Sequence, residues 1–126
     1  MLIGFKLDEF IITHGGFSPQ HHIGYYNRDE VPVMFPDFWA KTPDFIRQTR
    51  GSYEEVKFIF GHWHSFRLNG DFLQKKQDFS TFFYKNYIGI DATTNHSGKV
   101  NIYVIETDSL PVAFGAKHSI EDIIKM

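Results

Sequence analysis

Apolar and polar positions along the chain fall into short runs separated by glycine, proline and turn-forming clusters. Glu9-Phe10-Ile11-Ile12-Thr13 is β-branched and aromatic and stops at His14-Gly15-Gly16, which predicts a buried strand entering a loop. The next twenty residues hold Pro19, Pro32 and Pro36 with little periodicity and read as irregular, with Tyr25 and Tyr26 at the surface. From Pro36 to Arg50, Phe38, Trp39, Phe45 and Ile46 mark a helix pair or one broken helix. Pro43 sits where a second helix would begin, and Gly51 is the stop signal.

Val56-Lys57-Phe58-Ile59-Phe60 predicts the second strand, ended by Gly61-His62. Ser65 to Lys85 is mixed and reads as a long loop or hairpin. Tyr87 to Asp91 is the third strand. Val100 to Glu106 alternates as a fourth, after a turn at Ser97-Gly98, and Val112-Ala113-Phe114 is a candidate fifth. Ser119 is placed to cap a closing helix from Ile120 to Lys125, whose first turn carries Glu121 and Asp122 where the helix dipole favours acid. Strands outnumber helices, so the fold class is α/β and strand-rich, in a single domain over 1–126.

Composition narrows the function classes. Thirteen Lys and Arg against fifteen Asp and Glu leave a net charge of −2, without the basic excess that a nucleic-acid partner calls for. No cysteine is present, which excludes disulfides, thiolate metal sites and a cysteine nucleophile. The apolar runs are too short to span a membrane. The opening Met1-Leu2-Ile3-Gly4-Phe5-Lys6 does not read as a secretory signal, which makes the cytoplasm the expected compartment. Fourteen Phe imply a bulky core, or a surface that another element covers.

Seven histidines carry the candidate chemistry. In Phe60-Gly61-His62-Trp63-His64 two imidazoles follow a strand and a glycine. His14 also ends a β-run, and it precedes a glycine. Neutral imidazole is the commonest transition-metal ligand, so two such strand ends point to a shared metal site at His14, His62 and His64. The bland alternative is a set of polar strand-end histidines bonded to backbone or water. In that case, as in an unrelated aromatic-rich β domain, His14 and His62 need not be close, and a separation above about 10 Å would exclude a shared ion. His21-His22, His96 and His118 read as exposed.

Ile12-Thr13-His14-Gly15-Gly16, then Phe60-Gly61-His62-Trp63-His64, then Tyr87 to Asp91 followed by Gly98 to Glu106, resemble in order the second half of the calcineurin-like metallophosphoesterases. Within them the likeness is to the phosphoprotein-phosphatase and diadenosine-tetraphosphatase branch. The resemblance implies part of a four-layer αββα sandwich, a strand-rich half with a helical insertion. It implies a two-metal centre (Mn, Fe, Zn or Ni) hydrolysing phosphate esters by a metal-activated water. His14 and His62 would then be ligands of the second metal, and His64 would complete the first. An arginine of the helical insertion, Arg50 or Arg47, would bind phosphate. The family's D-x-H, G-D-x-x-D-R and G-N-H-[DE] motifs do not occur here, and Ala92-Thr93-Thr94-Asn95-His96-Ser97 replaces the usual T-G string. These motifs supply the bridging aspartate and the general acid, so no catalytic residue is assigned and the chain alone would hold at most one ion weakly. The implied partners are the missing N-terminal half or a second copy of the chain. The alternative function is a non-catalytic binding or self-association module.

Overall fold

A computed structural model describes residues 2–16, 35–115 and 120–126. Among these residues the chain folds as a mixed α/β structure around one six-stranded sheet. The strands are β1 (Leu2–Leu7), β2 (Phe10–Thr13), β3 (Lys57–His64), β4 (Phe82–Tyr84), β5 (Tyr87–Asp91) and β6 (Val112–Gly115). The helices are α1 (Phe35–Thr49), α2 (Ser65–Leu73), the single turn α3 (Thr94–Ser97) and α4 (Ile120–Ile124). The sheet order is β4-β5-β3-β2-β1-β6. The three central strands β2, β3 and β5 run parallel, and β1, β4 and β6 join antiparallel.

Parallel centre strands have both faces covered, and the period-two pattern distributes their side chains accordingly. Ile11, Phe58, Phe60 and Tyr87 point to one face, where they pack with Phe45 and Ile46 of α1, Leu68 of α2, and Ile120 and Ile123 of α4. Phe10, Ile59 and Ile88 point to the other face and meet Tyr103 and Ile105. Among the described residues, five phenylalanines are buried in the helix-covered core: Phe45, Phe58, Phe60, Phe82 and Phe114. Phe45 meets Phe58 edge-on at 5.6 Å, and Phe58 stacks on Tyr87 at 5.8 Å.

Beyond β1 and α3, which the sequence pattern does not mark, three segments differ from the sequence reading. Residues 65–73 form a helix rather than a loop, with Leu68 and Asn69 buried, and it ends at Gln74 in the left-handed region. Asn69 Nδ2 fixes its exit by donating to the carbonyls of Asp78 and Ser80 at 2.9 and 3.0 Å. Helix α1 runs unbroken through Pro43. Residues 100–106 alternate as a strand should, but among the described residues they pair with no other strand. This extended segment is held through side chains instead. Asn101 donates to the Phe79 carbonyl at 2.8 Å, and beyond it Ser109 donates to Asp8 at 2.7 Å. Tyr103 and Ile105 face the sheet, which leaves Val100, Ile102 and Val104 facing outward, 69%, 77% and 75% exposed. The His21-His22 pair, Tyr25, Tyr26, His118 and Ser119 lie outside the described residues. Among the described residues no helix is long and apolar enough to cross a membrane.

Candidate functional site

The C-terminal ends of the three parallel strands lie side by side, the edge at which open α/β sheets place their ligands. His14 follows β2. Its carbonyl accepts a hydrogen bond from the Gly61 N–H of β3 at 2.8 Å, which ties the two strand ends together. The loop after His14 is locked from below. Gly16 N–H donates to Thr13 Oγ1 at 2.9 Å, and the buried Thr42 of α1 donates from Oγ1 to the Gly15 carbonyl at 2.7 Å. Gly16 has φ +97°, and a Cβ there would lie 2.6 Å from Thr42 Cγ2, so only glycine fits.

Strand β3 continues past Gly61 to His64 rather than ending at Gly61-His62, and its register against β5 shifts between Phe60 and His64. At that irregularity His62 adopts φ +63°, a left-handed conformation that costs a non-glycine residue about 1 kcal/mol or more. Bulges of this kind redirect a side chain next to functional sites. Here the His62 ring comes to 5.5 Å from the His14 ring, centre to centre, with the planes tilted by 41°. Two imidazoles on one ion, with metal–nitrogen bonds of about 2.0–2.1 Å, hold their ring centres roughly 4.5–5.5 Å apart. The separation lies at the upper edge of that range, which is also ordinary ring-contact distance.

His64 comes to the same strand end, but its ring stacks on Phe66 at 5.8 Å. In the sheet register it lies opposite Asp91, the last residue of β5. Asp91 accepts a hydrogen bond from Thr93 N–H at 2.8 Å through Oδ1, and its charge acts on His62. Burial, then the neighbouring His14, hold the His62 imidazole below its ordinary value near 6.5. His64 adds to this and Asp91 opposes it. A neutral imidazole is the form that binds metal. Among the described residues, however, no three His, Asp or Glu side chains converge as a ligand set. The site brings two imidazoles into ring contact and sets a third imidazole and one carboxylate beside them.

Arg50 is not part of this cluster. It sits at the C-terminus of α1 with φ +49°, exposed, and its Nε donates to the Arg47 carbonyl at 3.1 Å. The adjoining Gly51 N–H donates to the Tyr87 hydroxyl at 2.8 Å, at the start of β5. That is the opposite end of the strand from Asp91, about 13 Å away at roughly 3.3 Å per residue. Arg47 is paired with Asp44 at 3.3 Å on the exposed side of α1. His96 is exposed on α3.

The histidine pattern singles out neither Asp91 nor Arg67. Asp91 was legible by the same strand-end rule that selects His14 and His62. Arg67 became visible only with α2, whose first turn carries it to a cavity of about 270 Å³ lined by His62, Trp63, His64 and Arg67. Trp63 Nε1 is buried with no hydrogen-bond partner among the described residues. The chain matches no family model, no curated protein and no solved structure.

Proposed function

We propose that this chain supplies one half of a metal-dependent phosphoesterase site, within a four-layer αββα sandwich whose other half is a separate stretch of polypeptide. The observation that carries the reading is the His14–His62 pair, 5.5 Å apart on adjacent parallel strand ends, with His62 held in a strained backbone conformation to reach it. The order of the strand-end motifs supports it. His14 and His62 would hold one divalent ion, with His64 and Asp91 beside them. The described donors fall short of a closed set, so the carboxylates that bridge two ions would come from the other half. A metal bound there would polarise a phosphoryl oxygen and lower the pKa of a bound water. The chain's own residues fix donor spacing, and partial desolvation with the neighbouring His14 holds the His62 imidazole below its ordinary value. The substrate class is a phosphate ester.

The test mixes this protein with a polypeptide carrying D-x-H, G-D-x-x-D-R and G-N-H motifs, adds Mn²⁺, and follows 4-nitrophenyl phosphate. Turnover that needs both polypeptides and is lost in His62→Ala supports the proposal. Background rates, or turnover indifferent to His62, overturn it.

A second reading rests on a different observation. The outward row Val100, Ile102 and Val104 lies on an extended segment without strand partners among the described residues. Unpaired apolar edges invite strand addition. A non-catalytic module that self-associates through this row would sediment as a discrete oligomer, and Ile102→Glu would return it to a monomer.

A further inference from the structure

Among the described residues, the cavity beside His62 and His64 has one permanently charged residue in its lining, Arg67. Among the described residues Arg67 makes no ion pair. Its guanidinium lies 5.6 Å from the centre of the Phe66 ring, and that ring stacks on His64 at 5.8 Å. The cation thus sits over a ring that itself stacks on His64, and among the described residues its guanidinium has no hydrogen-bond partner. Arg47 and Arg50 are both engaged within α1. A guanidinium presents parallel N–H donors that match two oxygens of a phosphoryl group, in a lining that otherwise holds two imidazoles and an indole.

We infer that Arg67 is the phosphate-binding residue of this site, gripping the non-bridging oxygens of a phosphate monoester lodged in the cavity against Trp63. The inference rests on reading the strand-end cluster as a phosphoester site, and it moves the anion-binding role from α1 to the first turn of α2. Arg67 fixes the anion while His14 and His62 remain the metal-facing pair.

The probe is phenylphosphonate, a non-hydrolysable phosphate-ester analogue, titrated calorimetrically into the wild-type chain, Arg67→Gln and Arg67→Lys. ¹⁵N-detected spectra follow the Trp63 indole N–H. Loss of a charge-assisted bidentate contact is expected to weaken binding by roughly ten- to a hundredfold in Arg67→Gln, with Arg67→Lys intermediate. The indole resonance is expected to move in the wild type and stay put in Arg67→Gln. Equal affinity in wild type and Arg67→Gln overturns the inference, as does the absence of wild-type binding or binding that leaves the Trp63 indole unmoved. A separate Mn²⁺ titration of wild type and His62→Ala keeps the two ideas apart. Phosphonate binding through Arg67 without Mn²⁺ binding sinks the metal reading and leaves this one standing. Mn²⁺ binding with phosphonate insensitive to Arg67 does the reverse.

Discussion

Replacing Gly16 with alanine is expected to destabilise the protein by about 2–5 kcal/mol, because two costs meet at one atom. The first is conformational. At φ +97° an alanine sits where a side chain clashes with its own backbone, worth about 1–2 kcal/mol. The second is steric. The new Cβ would lie 2.6 Å from Thr42 Cγ2 and 2.8 Å from Thr42 Oγ1, and overpacking of this kind costs about 1–3 kcal/mol. Thr42 is 1% exposed and its hydroxyl serves the Gly15 carbonyl, so moving it aside also breaks a buried hydrogen bond. Urea unfolding of Gly16→Ala, Thr42→Ala and the double variant separates the two parts. Thr42→Ala alone should cost about 1–3 kcal/mol for the unsatisfied carbonyl. In the double variant the worst contacts vanish while the φ penalty stays, so the loss should be smaller than the sum of the single losses. The His14 loop would shift in Gly16→Ala, and the His14 effect on His62 should shrink with it. A Gly16→Ala loss below about 0.5 kcal/mol would refute the locked loop, and so would strict additivity in the cycle.

Further outcomes follow from other parts of the site. His62 should titrate below its usual value near 6.5 by NMR, and His14→Ala should bring it back up; an unchanged midpoint in that variant would count against the ring pairing. With the folded value depressed, the unfolded chain binds the proton first as pH falls through 6.5. His62's contribution to stability therefore declines from that point down to its folded midpoint and is flat below it, and His62→Ala should lessen that slope. His62→Gly should be as stable as the parent, or more stable by about 1 kcal/mol, because the φ strain outweighs the entropy of an added glycine; clear destabilisation in urea would contradict the strain. Tyr87→Phe should cost about 1–3 kcal/mol in the same assay, since it strips Thr49 and the Gly51 N–H of a buried partner.

The strands carrying the site were legible because buried parallel strands are written as short β-branched and aromatic runs. Phe10–Thr13, Lys57–Phe60 and Tyr87–Asp91 all follow that rule. Their adjacency, and with it the meeting of His14 and His62, was suggested by two histidine–glycine strand ends in one short chain and by the resemblance of motif order. What the pattern hid was set by tertiary contacts. Ser65–Leu73 has Gly70 and Asn69 in its interior, which lower helix propensity, but Leu68 and Asn69 are buried against the core and Asn69 bonds the following loop. Leu2–Leu7 was missed although its neighbour Phe10–Thr13 follows after only two residues, because its run is broken by Gly4, where the Phe114 ring of the remote strand Val112–Gly115 fills the space a side chain would need. Val100–Glu106 has a strand's alternation without a strand's hydrogen bonds, because periodicity reports which side chains face a sheet and says nothing of who lies alongside. The bulge at His62 is a backbone event that no spacing rule reveals, and it is what aims that ring at His14.

The central claim is most directly tested by crystals grown with MnCl₂ and an anomalous difference map at the manganese edge. One peak is expected between the two rings, within about 2.0–2.3 Å of an imidazole nitrogen of both His14 and His62. A map without a peak there, or with manganese bound elsewhere while the two rings turn apart, would contradict it.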